Sequence, residues 1–210
     1  MHFFLIIGLY LFQYSAIAHA EYSECGSLSS AIESKEITCL VNELVRNSFP
    51  ELAKALASGR IRFREFESDA YFLQASFLKG QFSSSKNREY SIDINPKIFD
   101  PQLIPNGPPS LEAIQGILAH ELVHVLDYET ESFSNLTEIG LELILSPSHY
   151  ERYTDLRAFE LGYAYGIKSY RNWIYGQLSP TDLAQKRKRY YTPEEIDHWL
   201  LTRKPSDLLK

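Results

Sequence analysis

Residues 111–126 of this chain read LEAIQGILAHELVHVL and carry two histidines, His120 and His124, four positions apart. Apolar residues recur through the stretch at helical spacing, and Ser110 immediately before it is a suitable N-cap. At about 3.6 residues per turn, positions four apart project from the same face of a helix. The stretch therefore predicts a helix that presents both imidazoles on one side.

The two histidines enclose Glu121 in the segment HELVH, a combination that suits zinc chemistry. Two imidazoles one turn apart can bind one Zn²⁺ at about 2.0–2.1 Å, and the adjacent carboxylate can take a proton from a zinc-bound water. The alternative is two buried histidines that are satisfied by hydrogen bonds alone. Three polar groups on an apolar helix would then each need a partner, so the sequence favours a metal site with Glu121 as the catalytic base.

A catalytic zinc needs a third protein ligand and one open position. Residues 150–158, YERYTDLRA, place Glu151 and Asp155 one turn apart on a second predicted helix. Here the sequence resembles the gluzincin metallopeptidases, in particular the catalytic core of the HtpX-like group, over about a quarter of the chain. That resemblance implies that Glu151 is the third zinc ligand and that Asp155 orients a ligand histidine. The membrane helices of that group have no counterpart in this chain.

Other side chains near the motif remain candidates for the same site. Asp155 or His149 could supply the third ligand in place of Glu151. Asp127, three residues after His124, is expected to support a ligand or to cap the helix. Tyr150 and Tyr153 are candidate donors to the oxyanion that forms during peptide hydrolysis.

The rest of the chain predicts an α+β fold, and the resemblance implies that it is zincin-like. Helical spacing runs through residues 37–56, with a helix restart in which Ser48 is the expected cap and Pro50 lies in the first turn. Strands are expected at residues 60–66 and 89–94, where polar and apolar residues alternate, and at 71–78, which is rich in aromatic residues. A helix is expected from about residue 149 to 169, and further helices begin at the Ser-Pro and Thr-Pro pairs at 179–180 and 192–193. The prediction is a small N-terminal sheet with helices, followed by a mainly helical metal-binding half. By analogy with zincins, strand 90–94 would be an edge strand that pairs with substrate; an ordinary core strand is the alternative.

The first twenty residues have the composition of a secretory signal. Residues 3–18 are largely apolar, and Ala18-His19-Ala20 is an A-x-A-like cleavage site, although the segment has no Lys or Arg. An uncleaved membrane anchor is the alternative. The predicted organisation is a signal peptide at 1–20, a metallopeptidase domain at 21–178 and a helical C-terminal tail at 179–210. In an exported protein the two cysteines, Cys25 and Cys39, are expected to form a disulfide.

These features together predict a secreted or periplasmic zinc metalloendopeptidase with Zn²⁺ as its cofactor and a peptide or protein as its substrate. No stable membrane insertion is expected after signal cleavage. The net charge of −6 argues against nucleic acid as the main partner. The basic run at residues 186–189 is interpreted as a solvated helix face, with an anion-binding surface as the alternative. The rival function is a non-catalytic, zinc-stabilised binding or inhibitory protein on a zincin scaffold; a metal-free structural protein is a third possibility.

Overall fold

The computed structural model describes residues 35–68, 71–80, 83–100, 107–132 and 145–203, together with Thr137 and Leu141. The predicted signal peptide and Cys25 lie outside the described residues, so the signal and the Cys25–Cys39 disulfide stay predictions. Cys39 is buried within the first described helix. In the part of the chain that the structure covers, no helix combines the length and the apolar character needed to cross a membrane.

Two helices begin the described chain, α1 (Lys35–Ser48) and α2 (Ala53–Ala57), with a single 3-10 turn at Pro50–Leu52 between them. The predicted helix restart is confirmed, because Pro50 occupies the first turn after the break. The side chain of Ser48 has a different function from the expected cap, since its hydroxyl lies 2.7 Å from the hydroxyl of Tyr163. This contact ties the end of α1 to the helical half of the molecule.

Three strands follow, β1 (Ile61–Glu65), β2 (Leu73–Lys79) and β3 (Glu89–Ile94), and they confirm the three predicted strand positions. Their order in the sheet is β1-β3-β2, with β3 parallel to β1 and antiparallel to β2. The central position belongs to β3, so the edges of the sheet are β1 and β2.

The expectation that residues 90–94 form an edge strand is therefore wrong. Those residues are all buried, on both faces of β3, as is typical of a strand with neighbours on both sides. The polar residues of β3 suggested a solvent-facing side in the sequence. In the structure Asp93 is buried and accepts two hydrogen bonds from Arg64 on β1, at 2.8 and 2.9 Å.

The second half of the described chain is helical. Its helices are α3 (Leu111–Thr130), α4 (Pro147–Glu160), α5 (Ala164–Tyr175), α6 (Pro180–Arg189) and α7 (Pro193–Thr202). The N-caps predicted at Ser110, Ser179 and Thr192 are confirmed by side-chain hydrogen bonds to the backbone N–H three residues on. The single helix expected from residue 149 to 169 is wrong, because Gly162, with φ +98°, ends α4 before α5 begins.

The helix α3 lies at the centre of the molecule and packs against α1, α4, α5 and β2. It is buried on most of its surface, as expected for a helix enclosed by other elements. Its closest neighbour is α5, and the two backbones meet at Gly116 and Gly166. A Cβ atom on Gly116 would lie 2.2 Å from the carbonyl carbon of Gly166, so this approach requires glycine.

The C-terminal end of α3 is held by groups from the loop before β3 and from the sheet. Arg88 is buried and donates to the carbonyl oxygens of Tyr128 and Glu131, at 2.6 and 2.9 Å. Arg60 forms a two-point ion pair with Glu129, at 2.6 and 2.8 Å. The Arg88 bonds satisfy the carbonyl of Tyr128 in the last turn of α3 and that of Glu131 just after it, and the Arg60 pair holds the side chain of Glu129.

Candidate metal centre

His120 and His124 project from α3 toward α4, one helical turn apart, and both side chains are buried. Their ring centroids are 4.8 Å apart and the ring planes are nearly perpendicular. The Nε2 atoms of the two rings lie 3.2 Å from each other. Two ring nitrogens at this separation point at a common position between them.

Glu151 on α4 completes a triangle of ligand atoms. Its Oε2 atom lies 3.2 Å from His120 Nε2 and 3.4 Å from His124 Nε2. A tetrahedral zinc with bonds of about 2.0–2.1 Å separates its ligand atoms by about 3.3–3.4 Å. The triangle therefore has the dimensions of three corners of a zinc tetrahedron, and among the described residues this is the one group of three ligand-type side chains close enough to hold a metal ion.

The other ring nitrogen of each histidine is also occupied. His120 Nδ1 donates to Asp155 Oδ1 at 2.8 Å, and His124 Nδ1 lies 3.2 Å from the hydroxyl of Tyr150. A carboxylate on Nδ1 fixes the ring orientation and leaves Nε2 as the metal-binding atom in the neutral imidazole. Asp155 therefore contacts His120 at Nδ1, the ring nitrogen that faces away from the triangle.

Asp155 is itself fully buried and is held by two further donors. Arg171 on α5 donates to its Oδ1 atom at 3.1 Å, and the backbone N–H of Tyr191 donates to Oδ2 at 3.1 Å. Burial raises the pKa of Asp155, but Arg171, His120 and the Tyr191 N–H outweigh it and lower that pKa overall. The residue is therefore a charged acceptor at neutral pH.

The protonation of the triangle follows from the same contacts. Burial lowers the pKa of His120, but hydrogen bonds to Asp155 and Glu151 outweigh burial and raise it to about 9. Burial raises the pKa of Glu151, yet the two histidines lower it well below its usual range. In the metal-free site His120 is thus the donor and Glu151 the acceptor. A zinc ion bound here would have to displace a proton from His120, because metal ligands bind in their deprotonated forms.

Glu121 lies beside the triangle and contacts the sheet. Its Oε2 atom accepts a hydrogen bond from the backbone N–H of Ala75 on β2, at 2.7 Å. Its negative charge contributes to raising the pKa of His120, so the two side chains are close. The carboxylate of Glu121 consequently lies between the outer edge of β2 and the ligand atoms.

The remaining candidates from the sequence are not part of the triangle. His149 is exposed at the start of α4, and Tyr153 is 50% exposed with its ring near Arg157. Asp127 is buried and forms an ion pair with Arg157. Tyr150 is buried, and its hydroxyl contacts His124 Nδ1, where it can fix the orientation of the imidazole ring.

Several residues at the site were not assigned to it from the sequence, although Arg189 belongs to the basic run noted there. The C-terminal helices pack on α4 and α5 and bring Arg189 to within 2.9 Å of Glu151 Oε1. The ring of Tyr190 lies 6.0 Å from the ring of His120. Arg171 and the backbone N–H of Tyr191 contact Asp155, which in turn contacts His120. Only the tertiary arrangement brings these groups to the two helices that carry the motif.

Comparison with known proteins gives no family for this chain. No protein-family model, no curated protein and no solved structure matches it. The interpretation of the site therefore depends on the chemistry and geometry of the side chains described above.

Proposed function

We propose that this protein is an exported zinc-dependent peptidase with a zincin-like core, in which His120, His124 and Glu151 hold the zinc. The observation that carries the proposal is the triangle of ligand atoms with edges of 3.2, 3.2 and 3.4 Å. Glu121, the residue next to His120, adds a carboxylate at the same place. The N-terminal segment supports export through its apolar run and A-x-A-like end.

The roles of the side chains follow from their contacts. When bound, zinc would supply a Lewis acid that polarises the scissile carbonyl and lowers the pKa of a bound water. Glu121 would accept a proton from water at its carboxylate and return it to the leaving amine. Asp155 and Tyr150 would keep the two imidazoles in their metal-binding orientation through His120 Nδ1 and His124 Nδ1.

The outer edge of β2 supports a peptide as the substrate. Ala75 donates to Glu121 and therefore directs its N–H away from β3. In an antiparallel pair the N–H and C=O of one residue point to the same side, so the Ala75 carbonyl also faces outward. An extended peptide that adds along this edge would take the Ala75 N–H from Glu121 and would then lie beside Glu121 and the ligand triangle. In this proposal β2 is the substrate-pairing strand, in place of residues 90–94.

The test combines metal analysis with one conservative variant. Purified mature protein is expected to bind one zinc per chain, measured by mass spectrometry of the metal after dialysis, and to cleave members of a peptide library. Glu121→Gln keeps the size of the side chain and an acceptor for the Ala75 N–H. We expect it to keep the zinc and to lose activity by about 10²–10⁴-fold.

Glu112→Gln is the matched control, because Glu112 is exposed on the first turn of the same helix. It should leave both zinc content and activity unchanged. One zinc per chain without cleavage of any library peptide would favour the zinc-stabilised binding protein. Wild-type protein that folds and binds no zinc would refute both functions.

A further inference from the structure

Three cationic side chains surround the ring of Tyr190 beside the ligand triangle. The guanidinium carbon of Arg171 lies 4.2 Å from the ring centroid, Lys186 Nζ lies 4.9 Å from it and the guanidinium carbon of Arg189 lies 5.7 Å from it. The same ring is 6.0 Å from the ring of His120. We call Arg171, Lys186 and Arg189 the cationic cluster.

Two members of the cationic cluster have carboxylate partners and the third does not. Arg171 is paired with Asp155 at 3.1 Å and Arg189 with Glu151 at 2.9 Å. Among the described residues, no carboxylate oxygen lies within 4.0 Å of Lys186 Nζ. Burial and the charge of Arg171 lower the pKa of Lys186 to about 8. The ammonium is thus partly desolvated and lacks the ionic partner that would offset this cost.

The balance of charges around the site would favour an anion once zinc is bound. Glu121, Glu151 and Asp155 balance the three charges of the cationic cluster. A bound Zn²⁺ adds two positive charges, so the zinc-loaded site carries a net positive charge. A positive potential in a partly buried site attracts anionic groups of a substrate.

The four basic side chains at residues 186–189 of α6 do not all face the same way. Lys186 and Arg189 are three residues apart and share the helix face toward Tyr190 and the triangle. Arg187 lies over the ring of Tyr175, at 5.4 Å, and Lys188 is exposed. The solvated face expected from the sequence therefore describes only part of this run.

We propose that Lys186, with Arg189 beside it, binds a carboxylate of the substrate, which is either the free C-terminus of a peptide or an acidic side chain near the scissile bond. The inference rests on the proposed peptidase function, because it assigns a substrate class to that site. An ammonium offers three donors and can reorient toward a carboxylate that enters beside the zinc. Arg189 is already occupied by Glu151, so Lys186 provides the unpaired charge.

The experiment compares four probes of matched length. Dansyl-Gly-Phe-Ala is used as the free acid and as the amide, and dansyl-Gly-Phe-Glu-amide is compared with dansyl-Gly-Phe-Gln-amide. Hydrolysis of each probe is measured with zinc-loaded wild-type protein. Binding is measured by dansyl anisotropy with the zinc-loaded Glu121→Gln variant, which reports carboxylate binding whether or not the protein cleaves peptides.

The expected result is a preference for the carboxylate member of at least one pair by about tenfold to a hundredfold, as a charge-assisted hydrogen bond provides. The pair that shows it identifies the source of the carboxylate. Lys186→Met should reduce the ratio of affinities for the carboxylate and neutral probes to about twofold or less. Lys186→Arg should retain most of this ratio. Lys188→Met, the matched control on the same helix, should leave the ratio unchanged.

Two outcomes would overturn the inference. One is equal binding of the acid and neutral members of both pairs. The other is a preference that Lys186→Met leaves intact, or that Lys188→Met reduces as much. Carboxylate-selective binding that depends on Lys186, in a protein that cleaves no peptide, would refute the peptidase function and retain the carboxylate site.

Discussion

Asp155 shows how one side chain connects several parts of the site. It accepts hydrogen bonds from His120, from Arg171 and from the backbone of Tyr191, and it is fully buried. The first of these bonds orients a proposed zinc ligand, while the other two hold the carboxylate in place. Its contribution to metal binding should therefore be measurable although it does not contact the metal.

We expect Asp155→Asn to lower the zinc affinity by about 10–100-fold, as for other partners of ligand histidines. The variant keeps the side-chain volume but removes the charge that fixes the His120 tautomer. Zinc affinity is measured by competition with a chromogenic chelator. Asp127→Asn is the control, because Asp127 is also buried but pairs with Arg157 outside the triangle. Equal affinities of wild type and Asp155→Asn would refute this role.

The raised pKa of His120 predicts how the stability of the metal-free protein depends on pH. Its pKa is about 9 in the folded chain and about 6.5 in an unfolded chain. The folded state therefore holds this proton more tightly, and the resulting stability is fully present below about pH 6.5 and is lost as pH rises through 9. We expect the unfolding free energy of the metal-free protein to fall by about 1–2 kcal/mol between pH 6.5 and 8, because above pH 8 the lowered pKa of Lys186 acts in the opposite direction.

Urea unfolding at a series of pH values, with a chelator present, checks this expectation. His120→Gln should flatten the profile between pH 6.5 and 8. His198→Gln is the control, because His198 is exposed on α7. A wild-type profile with no decrease across this window would contradict the assigned protonation.

The sequence was sufficient to predict the residues that the structure brings together on α3 and α4. His120 and His124, and likewise Glu151 and Asp155, are four residues apart, and helix periodicity alone aligns each pair. Helix periodicity could not choose among Glu151, Asp155 and His149, because that choice depends on how α4 is rotated against α3. The resemblance favoured Glu151, which is the residue that the structure brings to the two histidines. The cationic cluster could not be predicted from the sequence either, because Arg171 and Lys186 belong to different helices and no local sequence pattern shows how those helices pack.

At the scale of elements, the crossing of α3 and α5 leaves no space for a side chain at Gly116. A Cβ atom on Gly116 would lie 2.2 Å from the Gly166 carbonyl carbon and 2.3 Å from the Ile167 nitrogen. Both neighbours are backbone atoms, so the helices themselves would have to separate.

We expect Gly116→Ala to destabilise the protein by about 1–3 kcal/mol, as overpacking does. Alanine normally stabilises a helix relative to glycine by about 0.5–1 kcal/mol, so the sign of the effect distinguishes steric contact from helix propensity. The measurement is equilibrium urea unfolding. Gln115→Ala, one position earlier and only partly buried, should change the stability by about 0.5 kcal/mol or less. A more stable Gly116→Ala variant would show that the helices do not meet this closely.

The buried cap at the end of α3 gives a second prediction at this scale. Arg88→Met removes charge-assisted bonds to the carbonyls of Tyr128 and Glu131 and leaves both carbonyls without this donor. We expect a loss of about 2–4 kcal/mol in unfolding free energy. Thermal and urea unfolding check it, with Lys86→Met, an exposed neighbour, as the control. Equal losses in the two variants would exclude a specific capping function.

The element positions were largely predictable, whereas their arrangement was not. Apolar alternation located β1 and β3, the aromatic residues of 71–78 located β2, and the N-cap signals located the starts of α3, α6 and α7. The edge position expected for β3 came from the analogy with zincins, and the sequence alone could not show that Arg64 would satisfy a buried Asp93 at the centre of the sheet. The break at Gly162 was missed because a glycine within helical spacing can also be tolerated.

At the scale of the whole molecule, the C-terminal helices are linked to the proposed zinc site through the backbone. The Tyr191 N–H donates to Asp155, which accepts from His120, and Arg152 on α4 forms a two-point ion pair with Glu195 on α7. A zinc ion that fixes His120 should therefore restrict residues beyond α3 and α4.

We expect zinc to slow amide hydrogen exchange at Tyr191 by at least about tenfold, along with the amides of α4, because local opening becomes coupled to metal release. The amides of β1, on the far edge of the sheet, should show a smaller change. Exchange followed by NMR with and without zinc checks this. Protection confined to α3 would mean that the C-terminal helices fold independently of the site.

The hydrogen bond between Ala75 and Glu121 also bears on how this protein behaves at high concentration. An unpaired strand edge invites self-association, because a strand of another copy can add to it. At Ala75 the outward N–H is already bonded to a buried carboxylate, so an incoming strand must displace a charged acceptor before it can pair. The residue proposed to act on bound peptides thus also protects the sheet edge against aggregation.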